Sequence, residues 1–242
     1  MGHSTFKTGL AEALGVFLLV FIGGSAICVT AFQGGGYGLL GIAFAHGIAL
    51  MVGVYMTAGI SGAHINPAIT FGLAVAGVIE WGKAIVYWIF QLAGAVIGGV
   101  SVLAVYGRLV PKDEAPYLGT PFFTADGVGA FNIDGPKAML VEALMTFILA
   151  MTVFMVAVDG TRKGRQMFGI CIGLIVTALI LIGGPITGAA LNPARYFGTA
   201  VVSGHLSQLW VYFVGPLLGG LLAALMWKFL LGTREEGQAE SQ

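Results

Sequence analysis

Apolar residues run almost unbroken through six stretches of the chain, at about 9–32, 38–60, 83–107, 137–158, 167–184 and 207–231. Each is close to the ~20 residues that a helix needs to cross the hydrocarbon core of a bilayer. Two shorter apolar pieces, 66–79 and 192–202, follow the second and fifth stretches. Both are too short to cross. Both open on Asn-Pro, a helix start with proline in the first turn, where its missing N–H costs nothing. The pattern predicts an all-α membrane protein of six transmembrane helices and two half-helices. Lys7 precedes the first stretch, which contains Glu12 and is longer than the roughly 7–15 apolar residues of a cleavable signal core, so it reads as the first span.

The two halves repeat. Ser61-Gly62-Ala63-His64-Ile65-Asn66-Pro67-Ala68-Ile69-Thr70-Phe71-Gly72 aligns with Thr187-Gly188-Ala189-Ala190-Leu191-Asn192-Pro193-Ala194-Arg195-Tyr196-Phe197-Gly198, an offset of 126 residues from Asn66 to Asn192. Ala11-Glu12-Ala13-Leu14 in the first span matches Glu142-Ala143-Leu144 in the fourth. Each half holds an odd number of full spans, so the second half enters from the opposite side and the repeat is inverted. The expected organisation is a single domain over 1–242: a first repeat at about 7–107, an external linking loop at about 108–136 with Pro111, Pro116, Pro121, Gly127, Gly129 and Gly135, a second repeat at about 137–231, and a polar tail at 232–242.

Composition supports the same solvent. The chain is 57% hydrophobic and 9% charged, against roughly 25% charge in a soluble domain. Eleven basic residues balance eleven acidic ones, so no basic excess points to nucleic acid. Lys7, Lys83, Arg162, Lys163, Arg165, Lys228 and Arg234 fall on one side of the predicted spans, and Arg108, Lys112 and Lys137 on the other. The positive-inside tendency then predicts a multi-pass protein of the cell membrane with both termini cytoplasmic. Cys28 and Cys171 lie in apolar runs without a ligand pattern, so no metal and no cofactor is expected.

The chemistry concentrates where the half-helices begin. A helix that stops at membrane depth leaves backbone groups that are tolerated only against protein or along a water-filled cavity. Inverted symmetry brings the two N-termini together near the midplane, each carrying roughly half a positive charge. Such a site repels cations and orients a neutral dipole. Asn66 and Asn192 are the N-caps, and their amide N–H groups are left to donate into the lumen. Pro67 and Pro193 fix the first turns, followed by Ala68 and Ala194. The loops before them, with Gly62, Ala63 and His64 in one and Gly188 and Ala190 in the other, are expected to turn carbonyls toward the passage as acceptors. Donors at the centre and acceptors on either side suit a file of water and interrupt its proton wire. Glu12 and Glu142 have two readings: a proton or cation site, or carboxylates that accept N–H groups of these loops. The second is favoured. His64 reads as a brace of its loop rather than a gate. Arg195, whose repeat mate is Ile69, places a fixed charge at one mouth only.

These motifs, with the span count and Glu12, closely resemble the aquaporin or major intrinsic protein family, and the likeness covers essentially the whole chain. The resemblance implies an outer filter at His46, Ile180, Ala189 and Arg195. That set departs from the strict water-channel pattern of Phe, His, a small residue and Arg, and resembles filters of some plant vacuolar intrinsic proteins. Ile180 removes a donor, Ala189 is small, and His46 moves a donor to the opposite wall. Tyr196, where glycerol channels carry Asp, and the aromatic pair Tyr212-Phe213 both favour water over polyols. The implied function is a passive water channel that excludes ions and protons, assembled as a homotetramer in the lipid bilayer. The alternative is a broader channel that also passes ammonia, hydrogen peroxide or small polyols such as glycerol. An ion-coupled transporter would need a charged cluster at the midplane, and an intramembrane enzyme a nucleophile–base pair; neither is in the sequence.

Overall fold

The computed structural model describes residues 4–32, 36–109, 116–124, 132–159 and 165–232. Pro111, Lys112, Gly127, Gly129, Arg162, Lys163, Arg234 and the tail beyond residue 232 lie outside the described residues. The elements are α1 (Thr5–Phe32), α2 (Gly38–Ser61), α3 (Pro67–Ala76), α4 (Trp81–Tyr106), α5 (Gly135–Val153), α6 (Phe168–Thr187), α7 (Pro193–Ser203) and α8 (Leu209–Met226). Single π turns, Phe154–Val158 and Trp227–Leu231, extend α5 and α8. Among the described residues, six helices are long and apolar enough to span a bilayer: α1, α2, α4, α5 with its π turn, α6, and α8 with its π turn. The two half-helices, α3 and α7, are 10 and 11 residues long.

Local chemistry sets the helix ends. Asp134 caps α5 by accepting from Lys137 N at 2.9 Å. Gly62 and Gly188 end α2 and α6 at φ +93° and +77°, left-handed values open to glycine at little cost. α6 therefore runs a turn beyond the expected stop at 184, through Pro185. Gly77, at φ +82°, ends α3 before the expected Ile79.

Within the first half α1 packs on α2 and α4; within the second, α5 packs on α6 and α8. α2 against α6 joins the halves. The half-helices cross over, α3 lying on α8 and α7 on α4. Small residues make these approaches possible. A Cβ on Gly94 would stand 2.2 Å from Ala13 O, and one on Gly219 2.3 Å from Ala143 O, so the same contact is built twice. The outward faces carry exposed Ile89, Leu174 and Ile182, as suits hydrocarbon rather than water as solvent. We term the end bearing residues 116–124 the outer end. α7 finishes there, where Thr120 Oγ1 meets Ser203 Oγ at 3.2 Å. α3 finishes at the inner end, where Lys228 Nζ donates to Val75 O at 3.4 Å.

Candidate pore

Opposed half-helices need their first turns satisfied, and the two asparagines do this in the same way. Asn66 Oδ1 accepts from Ala68 N at 2.8 Å, and Asn192 Oδ1 accepts from Ala194 N at 3.0 Å and Arg195 N at 3.3 Å. The amides are not wholly free, in contrast to the expectation from sequence. Asn66 Nδ2 donates to Leu191 O at 2.9 Å and Asn192 Nδ2 to Ile65 O at 2.8 Å. Each amide thus spends one N–H on the opposite half and keeps one for the inner passage that both asparagines line.

The preceding loops are held by buried carboxylates. Glu12 accepts from Ser61 Oγ at 2.6 Å, His64 N at 3.0 Å, Ile65 N at 2.6 Å and Gln91 Nε2 at 2.8 Å. Glu142 accepts from Thr187 Oγ1 at 2.6 Å, Ala190 N at 3.0 Å and Leu191 N at 2.8 Å. Donors alone surround both groups, the environment a carboxylate needs when it is taken out of water. Between the bonds the chain is forced left-handed at Ala63 and Ile65, and likewise at Ala189 and Leu191, with φ between +45° and +54°. Such values cost about 1–3 kcal/mol each in residues other than glycine, and the glutamate bonds offset them. The loops are therefore not simple extended segments.

His64 fits a brace. Thr70 Oγ1 donates to Asn66 O at 3.0 Å, so it accepts from His64 Nδ1 at 3.1 Å. The His64 ring meets Tyr87 edge-on. In the second half Ala190 replaces His64, and Tyr196 fills the space by stacking on Tyr212 with ring centres 4.3 Å apart.

Two cavities that share three lining residues mark the route. An outer vestibule of about 260 Å³ lies beneath residues 119–124. An inner passage of about 30 Å³ runs past Ala63, His64, Asn66, Ala190 and Asn192, room for about two or three waters in line. His46, Ile180 and Arg195 line both cavities and so stand at the junction; Ala189 lines the passage just inside it and Gly188 the vestibule just outside. Gly62 lines neither and serves as the α2 cap. Pro67, Ala68, Pro193 and Ala194 are buried behind the lumen.

Arg195 is 4% exposed. Its Nη2 donates to His46 Nε2 at 3.0 Å. A guanidinium only donates, so Nε2 accepts, and Nδ1 carries the proton shared with Ile42 O at 2.9 Å. His46 therefore offers no free donor to the opposite wall, contrary to the expectation from sequence; both ring nitrogens are engaged. Arg195 Nη1 has no partner among the described residues.

Sequence reasoning missed the tyrosines' bracing role. Tyr87 OH donates to Ser61 O and Tyr212 OH to Thr187 O, both at 2.6 Å. Tyr196 OH donates to His205 O at 3.0 Å. Tyr196 and Tyr212 line neither cavity. The hydroxyl residue five places before each asparagine, Ser61 and Thr187, was the available signal for this brace. Gln208 was also missed. It accepts from Phe123 N at 3.1 Å and donates to Phe123 O at 2.7 Å, pinning the vestibule roof.

Comparison with known proteins agrees with this geometry. The chain is 41% identical over 234 residues to "Probable aquaporin TIP2-2" of Oryza sativa subsp. japonica, covering 94% of this chain and 88% of that one. It is 41% identical over 232 residues to "Aquaporin TIP2-3" of Arabidopsis thaliana, covering 93% and 87%. The X-ray structure of the aquaglyceroporin from Plasmodium falciparum superposes with a TM-score of 0.82 at 25% identity, covering 94% of this chain and 97% of that one. Residues 2–227 match the model of the major intrinsic protein family. Inverted half-helices, paired Asn-Pro-Ala turns and whole-chain similarity together make this chain a member of the major intrinsic protein, or aquaporin, family.

Proposed function

We propose that the protein is a passive channel for water that excludes ions and protons, acting as a pore rather than as an enzyme. The observation that carries this reading is the meeting of two half-helix N-termini at Asn66 and Asn192 beside a narrow passage. Two positive helix ends disfavour a cation. The remaining amide N–H of each asparagine turns the oxygen of a passing water toward the centre, which breaks a continuous proton relay. His46, Ile180, Ala189 and Arg195 act as the filter. Carbonyls of Ala63, His64, Gly188 and Ala190 supply acceptors, and Glu12 and Glu142 hold the loops. The relatives named as aquaporins support water as a solute. Proteoliposomes shrinking under an osmotic step no faster than empty vesicles would refute the reading.

A broader solute range is favoured by one observation: Ile180 and Ala189 present no polar group at the junction, while His46 is tied back to Arg195. Ammonia and hydrogen peroxide then pass with water. Ammonia entry at the rate of bare lipid, measured by internal pH, counts against this.

The chain works as one unit of two inverted repeats, with both termini on the cytoplasmic face of a cell membrane. Lys7, Lys83, Arg165 and Lys228 on the inner side, against Arg108 and Lys137 on the outer side, support that orientation. Protease access to the C-terminal tail in sealed vesicles tests it. Four copies assemble, one pore each, as family resemblance implies; light scattering of the detergent-solubilised protein tests this.

A further inference from the structure

We propose that Gly23 of α1 sets the bore of the filter by letting the His46 imidazole lie back against the α1 backbone. This makes it a positioning residue for solute selection, and the proposal rests on reading His46 as part of the filter. A Cβ on Gly23 would stand 2.3 Å from His46 Nε2, 2.5 Å from Cδ2 and 2.8 Å from Cε1. Three atoms of the ring, not its tip alone, occupy the space that any side chain would need. The nearest atom to each of Gly94 and Gly219 is a backbone oxygen of a packed helix. Those nearest Gly23 belong to the filter residue itself.

The ring has little freedom to yield sideways. Nδ1 is bonded to Ile42 O at 2.9 Å and Nε2 to Arg195 Nη2 at 3.0 Å. His46 is 3% exposed, and the free space it borders is the vestibule and the passage. α1 stands behind it. A methyl at position 23 must push the ring from 2.3 Å to ordinary contact near 3.5 Å, about 1 Å toward the lumen. A shift of that size also disturbs the 3.0 Å bond between His46 and Arg195, and the filter loses bore. Solutes larger than water lose more than water does.

The test compares wild type, Gly23→Ala, His46→Ala and the double variant in proteoliposomes. Water permeability is read by stopped-flow scattering, and ammonia permeability by an internal pH dye. Gly23→Ala is expected to lower ammonia permeability about tenfold, the lower end of what one methylene does in a tight pocket, and water permeability by less. In the His46→Ala background the new methyl has room, so the double variant matches His46→Ala. Wild-type permeabilities in folded Gly23→Ala overturn the proposal. So does an equal loss from Gly23→Ala on both backgrounds, because the glycine then acts through helix packing. If Gly23→Ala does not fold, recovery of the fold in the double variant supports the proposal, and failure of both overturns it. The filter reading is tested separately by His46→Ala alone: if it leaves the ammonia-to-water ratio unchanged, His46 is no filter residue and the proposal falls with it.

Discussion

Replacing Glu142 with Gln is expected to damage the channel more than replacing Glu12, although the two are mates in the repeat. In the second half, Glu142 Oε1 accepts from Thr187 Oγ1 and Ala190 N, while Oε2 accepts from Leu191 N. A glutamine keeps only one oxygen. With it at the Oε1 position, the amide N–H₂ confronts the Leu191 N–H, and a charge-assisted bond becomes a buried donor without an acceptor. The lost bond and the stranded donor together cost about 3 kcal/mol. The damage reaches the pore centre, because the carbonyl of Leu191 receives Asn66 Nδ2. In the first half the same change meets Gln91, whose Oε1 is buried without a partner among the described residues. Rotating the Gln91 amide offers that oxygen to the new N–H₂, at the expense of the 3.0 Å bond that Gln91 Nε2 gives to Thr70 Oγ1. One of the two lost contacts is thereby replaced for the loss of a weaker neutral one, so Glu12→Gln costs about 1 kcal/mol less, roughly a fivefold difference in the folded-to-unfolded ratio. Thermal unfolding in detergent and water permeability per channel read the two effects. Equal losses, or a greater loss from Glu12→Gln, refute the reasoning about Gln91.

Other substitutions test separate parts of the route. Gly188→Ala should cost about 1–3 kcal/mol for its left-handed backbone and, with a Cβ 2.7 Å from Pro121 Cα, should displace the vestibule roof and lower water flux. Gln208→Leu removes both bonds to the Phe123 backbone; protease cleavage near residues 119–124 should accelerate while the spans stay folded. Mercury should leave water flux unchanged, since Cys28 is fully buried and neither Cys28 nor Cys171 lines the vestibule or the inner passage; block relieved by Cys28→Ser would contradict this. The Lys137 backbone N–H holds the Asp134 carboxyl below its usual range. Its contribution to the α5 start is therefore complete above the ordinary carboxylate range and is lost as pH falls through the depressed value; Asp134→Asn should flatten that acid limb of the unfolding profile.

The spans and half-helices were legible because hydrocarbon imposes a minimum apolar run, and because Asn-Pro twice interrupts such runs at matched points. Arg195 was legible as a charge without a mate. What escaped depends on which side chains meet across the bundle. Asn66 showed itself as a cap, but not as a donor to Leu191, 125 residues away. His46 was placed at the filter by resemblance, yet its hydrogen-bonding role reversed once Arg195 was found to donate to it. Tyr212 looked like a solute-selecting aromatic and proved to be a brace, because burial beside Tyr196 is a property of packing rather than of position in the chain. Gln91 and Pro216 occupy matching places in α4 and α8, so the halves differ where a repeat alone would make them equal.

The crossed asparagine bonds also bear on descent and assembly. Residues 65 and 66 of one half meet 192 and 191 of the other, and each donor–acceptor pair has its mirror. That is the contact pattern of a two-fold dimer interface, in which a patch binds a copy of itself, now carried on a single strand of polypeptide. A half expressed alone presents a self-complementary face with an asparagine and a carbonyl awaiting partners. Two separately made halves should find each other in the bilayer, and the covalent link at 108–136 then sets their local concentration rather than the fit between them.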